Sequence, residues 1–204
     1  MTTSVITGDI INSKSLETPK IWVDALTEAL SYLSTSQFSW RLSRGDNFQI
    51  EIKDISKSFL NAVYIKAVMK NIGLDIRIAI GIGSKTYEGK HVGESTGDAF
   101  VFSGETLEEL KKEKTNLKIK TSNSNLNEEL NLYFKLALIA MDNWTVNTAE
   151  IVKLTIENPD AIQSELGKII GINQNAVSTR QKRAHLDEII ELDRMFRQKI
   201  TAFV

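Results

Sequence analysis

Two aspartates offer the clearest chemistry in this chain. Asp9 ends the β-branched stretch "SVITGDIINS", and Asp46 sits at the apex of "RLSRGDNFQIEI", between two runs that alternate apolar and polar residues. Brought together, two bare carboxylates about 4 Å apart would repel by roughly 4 kcal/mol at an effective dielectric near 20. A divalent cation or a shared proton relieves that repulsion. The chain has no cysteine and only two histidines, His91 and His185, which excludes a thiolate site and leaves little for zinc. A bound metal would be held by oxygen, which favours magnesium, manganese or calcium. Spacing alone leaves a second reading equally open, that of two unrelated turn aspartates.

The backbone after Asp9 adds to the first reading. Ile11, Asn12 and Ser13 carry N–H groups just ahead of a helical stretch, where a triphosphate could rest. Arg41 and Arg44 could touch phosphate or stand as solvated surface arginines. Asp98, in "STGDAF", reads as a helix N-cap, and His91, between glycines, as an exposed loop residue. The glycines at 81, 83, 93 and 97 open no helix with the dinucleotide-binding spacing.

The elements that must position these residues follow from periodicity. A strand ends at the Gly8-Asp9 turn. Thr18 and Pro19 then start a helix with Ile21, Trp22, Ala25, Leu26, Ala29, Leu30 and Leu33 on one face. Phe38, Trp40 and Leu42 alternate, then Phe48, Ile50 and Ile52, with a turn over 43–46, which predicts a hairpin. A second helix carries Phe59, Leu60, Val63, Ala67 and Val68 and stops at Gly73. In "LDIRIAIGIGS" isoleucines line one side while Arg77, Ala79, Gly81 and Gly83 line the other, so something approaches the thin side closely. A polar loop over 84–95, a helix over "DAFVFSGETLEELKKEK" and a strand at "NLKIKTS" complete the order. The expected fold is α+β: a sheet containing antiparallel strands with helices on one face.

Beyond about residue 124 only helical periodicity remains, which divides the chain into 1–123 and a helical part at 124–204. Overall charge is balanced, at 25 Lys plus Arg against 26 Asp plus Glu, so no global field draws it to nucleic acid or membrane. No apolar run is long enough to span a bilayer, and the N-terminus lacks signal-peptide character, which predicts a cytoplasmic protein without a membrane partner.

Several of these motifs carry a resemblance. "RGDNF" looks like the GGDEF hairpin of diguanylate cyclases, and "GDI", "GDNF" and "IRIAIGIG" in this order resemble the palm-like, ferredoxin-like fold shared with class III nucleotidyl cyclases. Taken together, "VITGDIINSK", "RGDNFQ", "IRIAIGIG", "GDAF" and "NQNAVSTRQKRA" are similar to the SatD family of small bacterial proteins. The cyclase resemblance implies Mg2+ or Mn2+ held by Asp9, Asp46 and the carbonyl of Ile10, with a phosphorylated nucleotide near Ile11, Asn12, Ser13, Arg44 and Asn47. The departures are specific. Arg44 stands where the hairpin motif has a glycine and Asn47 where it has its glutamate. Leu42 replaces a base-reading lysine, and "AFVFSGETLEEL" lacks the asparagine and arginine that steady a cyclase transition state. Phosphate binding through a cation survives these changes better than cyclisation.

In the tail, "AIQSELGKIIGINQNAVSTRQKRAHL" places Gly167 four residues before the turn glycine and Val177 six after it, where a helix-turn-helix over about 160–186 needs close approach and a core anchor. It resembles sigma-factor region four, except that Gln181 replaces an apolar anchor. Gln174, Asn175, Ser178, Thr179, Arg180, Lys182 and Arg183 are the candidate DNA-contacting residues, against a plain solvated face. So few cations imply modest affinity per monomer, hence a possible homodimer. The sequence therefore supports a regulator that senses a nucleotide through a metal and binds DNA. A metal-dependent nucleotidyl- or phosphoryl-transfer enzyme and an inactive interaction module are the alternatives.

Overall fold

The computed structural model describes residues 1–13, 18–34, 36–43 and 46–203. The chain runs β1 (Thr2–Ile11), α1 (Lys20–Leu33), β2 (Trp40–Leu42), β3 (Asn47–Ile52), α2 (Ser58–Asn71), β4 (Asp75–Ser84), α3 (Asp98–Glu113) and β5 (Leu117–Lys120). Then come α4 (Ser124–Met141), α5 (Val146–Glu157), α6 (Gln163–Ile170), α7 (Gln174–Ala184) and α8 (Leu186–Phe203). This is a mixed α+β chain with one five-stranded sheet in the order β2-β3-β1-β4-β5, antiparallel except where β4 and β5 run parallel.

β1 is central because its β-branched residues must be covered on both faces. Ile6 and Ile10 join Ile76, Ile78, Ile80 and Ile82 of β4 in a core built with Leu26 and Leu30 of α1 and Phe59, Ala62 and Val63 of α2. The opposite face of β4 is made of Ala79, Gly81 and Gly83, and α3 lies directly on it. A methyl at Gly81 would strike the Ala99 carbonyl and the Ser103 amide, while Ala79 packs with Leu107 and Leu110. Helices therefore cover both faces of the sheet, not one. The sequence does announce the close approach at these glycines, but not that a helix makes it.

Two helix starts also shift by one position. Pro19 rather than Thr18 precedes α1, with no side-chain cap. Asp98 is the first residue of α3 instead of its cap, Gly97 standing before it with φ 143°, and its Oδ2 accepts from Ser84 Oγ at 2.9 Å.

The core continues past residue 124. Phe59 of α2 stacks on Phe134 of α4 with ring centroids 4.9 Å apart, and Phe196 of α8 closes the trio at 5.8 and 6.2 Å. Edge strand β5 is covered by α4, where Asn131 exchanges two hydrogen bonds with the backbone of Ile119 (2.8 and 2.9 Å). That removes unpaired edge groups that could recruit another strand. A smaller cluster of Ile151, Leu154, Leu166 and Val177 holds α5, α6 and α7 together. No described helix is long and apolar enough to cross a membrane.

Candidate functional site

Asp9 and Asp46 meet at the end of the sheet where β1 finishes and β3 and β4 begin. Asp9 stands opposite Asn47 on β3 and opposite Arg77 on β4. The amide of Ile10 donates to the Asp46 carbonyl at 3.1 Å, which fixes the turn aspartate beside Asp9; the strand does not end at Gly8-Asp9 as expected but runs on to Ile11. Their charges sense each other, since Asp46 is among the groups that push the Asp9 carboxyl upward.

Asp9 is 8% exposed. Burial is the main cause that raises its pKa above the ordinary 3.8, and the charges of Arg77 and Lys111 oppose the shift. Arg77 Nη1 donates to Asp9 Oδ2 at 3.2 Å. The other oxygen, Oδ1, is buried without a hydrogen-bond partner. Such an atom costs free energy unless something satisfies it. Glu51, a buried acid farther along the same sheet, shows the contrast: Thr3 Oγ1 (2.9 Å) and Lys85 Nζ (2.8 Å) satisfy its two oxygens. Asp193 in α8 also has an unpartnered oxygen, but its charged neighbour is Arg197. Asp142 Oδ1 likewise takes no hydrogen bond, but the Lys66 ammonium lies 2.6 Å from it, whereas Asp9 has a second carboxylate, Asp46, among the charges that raise its pKa. That combination fits a hard cation. Among the described residues the acids form a pair, and no group of three or more His, Cys, Asp or Glu gathers around an ion-sized space.

The other expected residues fall around this pair in different ways. Asn12 adopts a left-handed conformation at φ 56°, which asparagine tolerates and which turns the chain away from β1. Ser13 Oγ donates to Asp46 Oδ2 at 2.6 Å, so its hydroxyl orients the carboxylate. Ile11 is half-buried at the strand end beside Asn12, while Ile10 points its side chain into the core at 2% exposure. Asn47 begins β3, half-buried. Arg44 lies outside the described residues. Sequence reasoning missed Arg77 and Lys111. Arg77 was visible as the large residue on the thin side of β4, but pairing it with Asp9 requires the β1–β4 register.

In the tail, a methyl at Gly167 would lie 2.5 Å from the Ile172 carbonyl, and Val177 is fully buried against the α5–α6 cluster. Gln181, polar where an anchor is usual, bonds Gln163 (2.9 Å) and Thr155 (3.1 Å) instead. Gln174, Asn175, Thr179, Lys182 and Arg183 are exposed, and Ser178 is half-buried. Arg180 is drawn back onto α5, its Nη1 2.6 Å from Glu150 Oε2. The basic face of α7 thus rests on Lys182 and Arg183.

The chain matches no protein-family model and no curated protein. Among solved structures it is similar to the active GGEEF domain of a diguanylate cyclase from Vibrio cholerae, at 14% identity and a TM-score of 0.43, over 61% of this chain and 85% of that one.

Proposed function

We propose that this chain is a bacterial regulator of the SatD type, in which a palm-like sheet end binds a phosphorylated nucleotide through one or more divalent cations and the helical tail, as a helix-turn-helix, binds DNA. The observation that carries the first half is the buried, unpartnered Oδ1 of Asp9 beside Asp46. Asp9, Asp46 and the Ile10 carbonyl would hold Mg2+ or Mn2+, and the amides of Ile11, Asn12 and Ser13 with Asn47 and Arg44 would meet phosphate. Bound there, the cation would offset the carboxylate charges and present a positive centre to phosphate oxygens. Turnover of a nucleoside triphosphate is the second reading, favoured by the same pair, and product analysis after incubation with Mg2+ separates it from binding alone.

The test is calorimetric titration of nucleoside triphosphates with and without Mg2+. Native protein should bind only with the cation, and Asp46→Asn should weaken binding at least about tenfold, as loss of a charged cation ligand implies. Binding that ignores both metal and mutation would remove this reading.

The exposed row of Gln174, Asn175, Thr179, Lys182 and Arg183 on α7 supports the second half. In gel shifts across a salt series, Arg183→Ala and Lys182→Ala should each reduce the salt slope by about one, as loss of a phosphate contact does. Arg180→Ala should act differently, loosening α7 from α5. No binding at low salt would leave the tail structural.

A further inference from the structure

Arg77 sits where the cation reading places its ligands, and it changes what those ligands can hold. It projects from β4 directly opposite Asp9, and its guanidinium engages Asp9 Oδ2 at 3.2 Å. We infer that Arg77 is a built-in positive charge of this site, and that Asp9 and Asp46 consequently hold a single divalent cation and not a pair. The inference rests on the cation reading and adds the stoichiometry and the residue that sets it.

Two observations carry it. The first is coordination. A carboxylate that bridges two metal ions through both its oxygens gives one to each, and Asp9 has only Oδ1 without a partner, because Oδ2 is committed to Arg77; bridging through Oδ1 alone would press two divalent ions onto one oxygen beside that guanidinium. No third acid or histidine joins the pair among the described residues to supply ligands for another ion. The second is charge. Two ionised carboxylates and one guanidinium sum to minus one, so one divalent ion brings the cluster to plus one and a second would bring it to plus three. Lys111 adds a further positive charge close enough to act on Asp9. In a half-buried site that last step is steeply unfavourable. Arginine suits the role because its guanidinium stays charged at any working pH and holds a carboxylate in a fixed direction.

Counting bound Mn2+ by electron paramagnetic resonance tests this without reference to activity. Native protein should bind one Mn2+ per chain. Arg77→Gln, which keeps a hydrogen-bond donor but removes the charge, should bind the first Mn2+ about tenfold more tightly or take up a second, since a repelling charge at contact distance has been removed. Arg77→Lys should keep the native count. Two Mn2+ ions per native chain, or an Arg77→Gln variant unchanged in both count and affinity, would overturn the inference while leaving the cation reading intact. No Mn2+ on native protein would remove the cation reading and this inference with it. If circular dichroism shows that Arg77→Gln does not fold, the native count decides.

Discussion

At the scale of single residues, Asp9 sets the pH behaviour of the candidate site. Its carboxyl titrates above the ordinary 3.8 because burial disfavours the anion, with the Asp46 charge adding to the effect and Arg77 and Lys111 opposing it. Below pH 3.8 the group is protonated folded and unfolded, and it contributes no difference. Between 3.8 and the raised value the folded chain holds the proton more tightly, so stability falls as pH rises through that window and the loss persists above it. A cation needs the anion and competes with the proton. Its affinity should therefore decline as pH drops through the raised pKa, approaching tenfold per pH unit below it. Mn2+ titrations between pH 4 and 8 measure this directly, and in Asp9→Asn the pH dependence should collapse together with the affinity. In denaturation, Asp9→Asn should gain stability relative to native protein at neutral pH, and that gain should shrink as pH falls. That Asp9 and Asp46 come together at one end of the sheet was legible from the strand-helix-strand-strand order, although β1 runs two residues past Asp9 instead of ending there. Arg77 was not, because register is a property of two strands together, and nothing in "IRIAIGIG" says which residue of β1 it will face.

At the scale of elements, period-two alternation and helical spacing placed each strand and helix of the sheet region in order. Both faces of β4 were readable from the same ten residues: isoleucine on one side meant deep burial, and glycine on the other meant contact at backbone distance. The expectation of helices on one face failed because the periodicity of α3 shows that it has an apolar stripe but not which face of the sheet receives it. Gly81→Ala tests the packing as observed. The added methyl would meet the backbone of α3 at Ala99 and Ser103, which cannot rotate away as a side chain could. Thermal or urea denaturation should show a loss of about 1–3 kcal/mol or more, as overpacking against rigid neighbours gives. In the tail, the close approach at Gly167 and the burial of Val177 were legible from their spacing about the turn glycine. The capture of Arg180 by Glu150 was not, since the two residues belong to helices whose relative placement only the packed structure fixes.

At the scale of the whole molecule, a buried ionic cluster joins the sheet to the C-terminal helices close to the candidate site. Lys66 of α2 is 1% exposed, and its Nζ lies 2.7 Å from Asp75 Oδ1 at the start of β4 and 2.6 Å from Asp142 Oδ1 just after α4. The second contact is an ion pair in which Asp142 Oδ1 takes no hydrogen bond. Lys70 repeats the bridge, with its Nζ 3.2 Å from Asp75 Oδ2 and 2.6 Å from the Asp142 carbonyl. Asp75 pairs with Ile11 in the β1–β4 register, two residues past Asp9, so the cluster ties the loop after α4 to the strand end that carries the carboxylates. Replacing Lys66 by methionine keeps most of its volume and removes the ammonium, leaving Asp75 with Lys70 and Asp142 without its buried partner. Breaking one member of a fully buried ion pair costs about 3–5 kcal/mol; because Asp142 is 36% exposed and Asp75 keeps Lys70, Lys66→Met should lower stability by less than that in urea denaturation. The double change Lys66→Met with Asp142→Leu should recover part of the loss, because it removes the stranded carboxylate as well. If the double variant is as unstable as the single one, the cluster is not what joins the sheet to the loop after α4, and the apolar core that includes Met141, Trp144 and the phenylalanine trio of α2, α4 and α8 carries that junction.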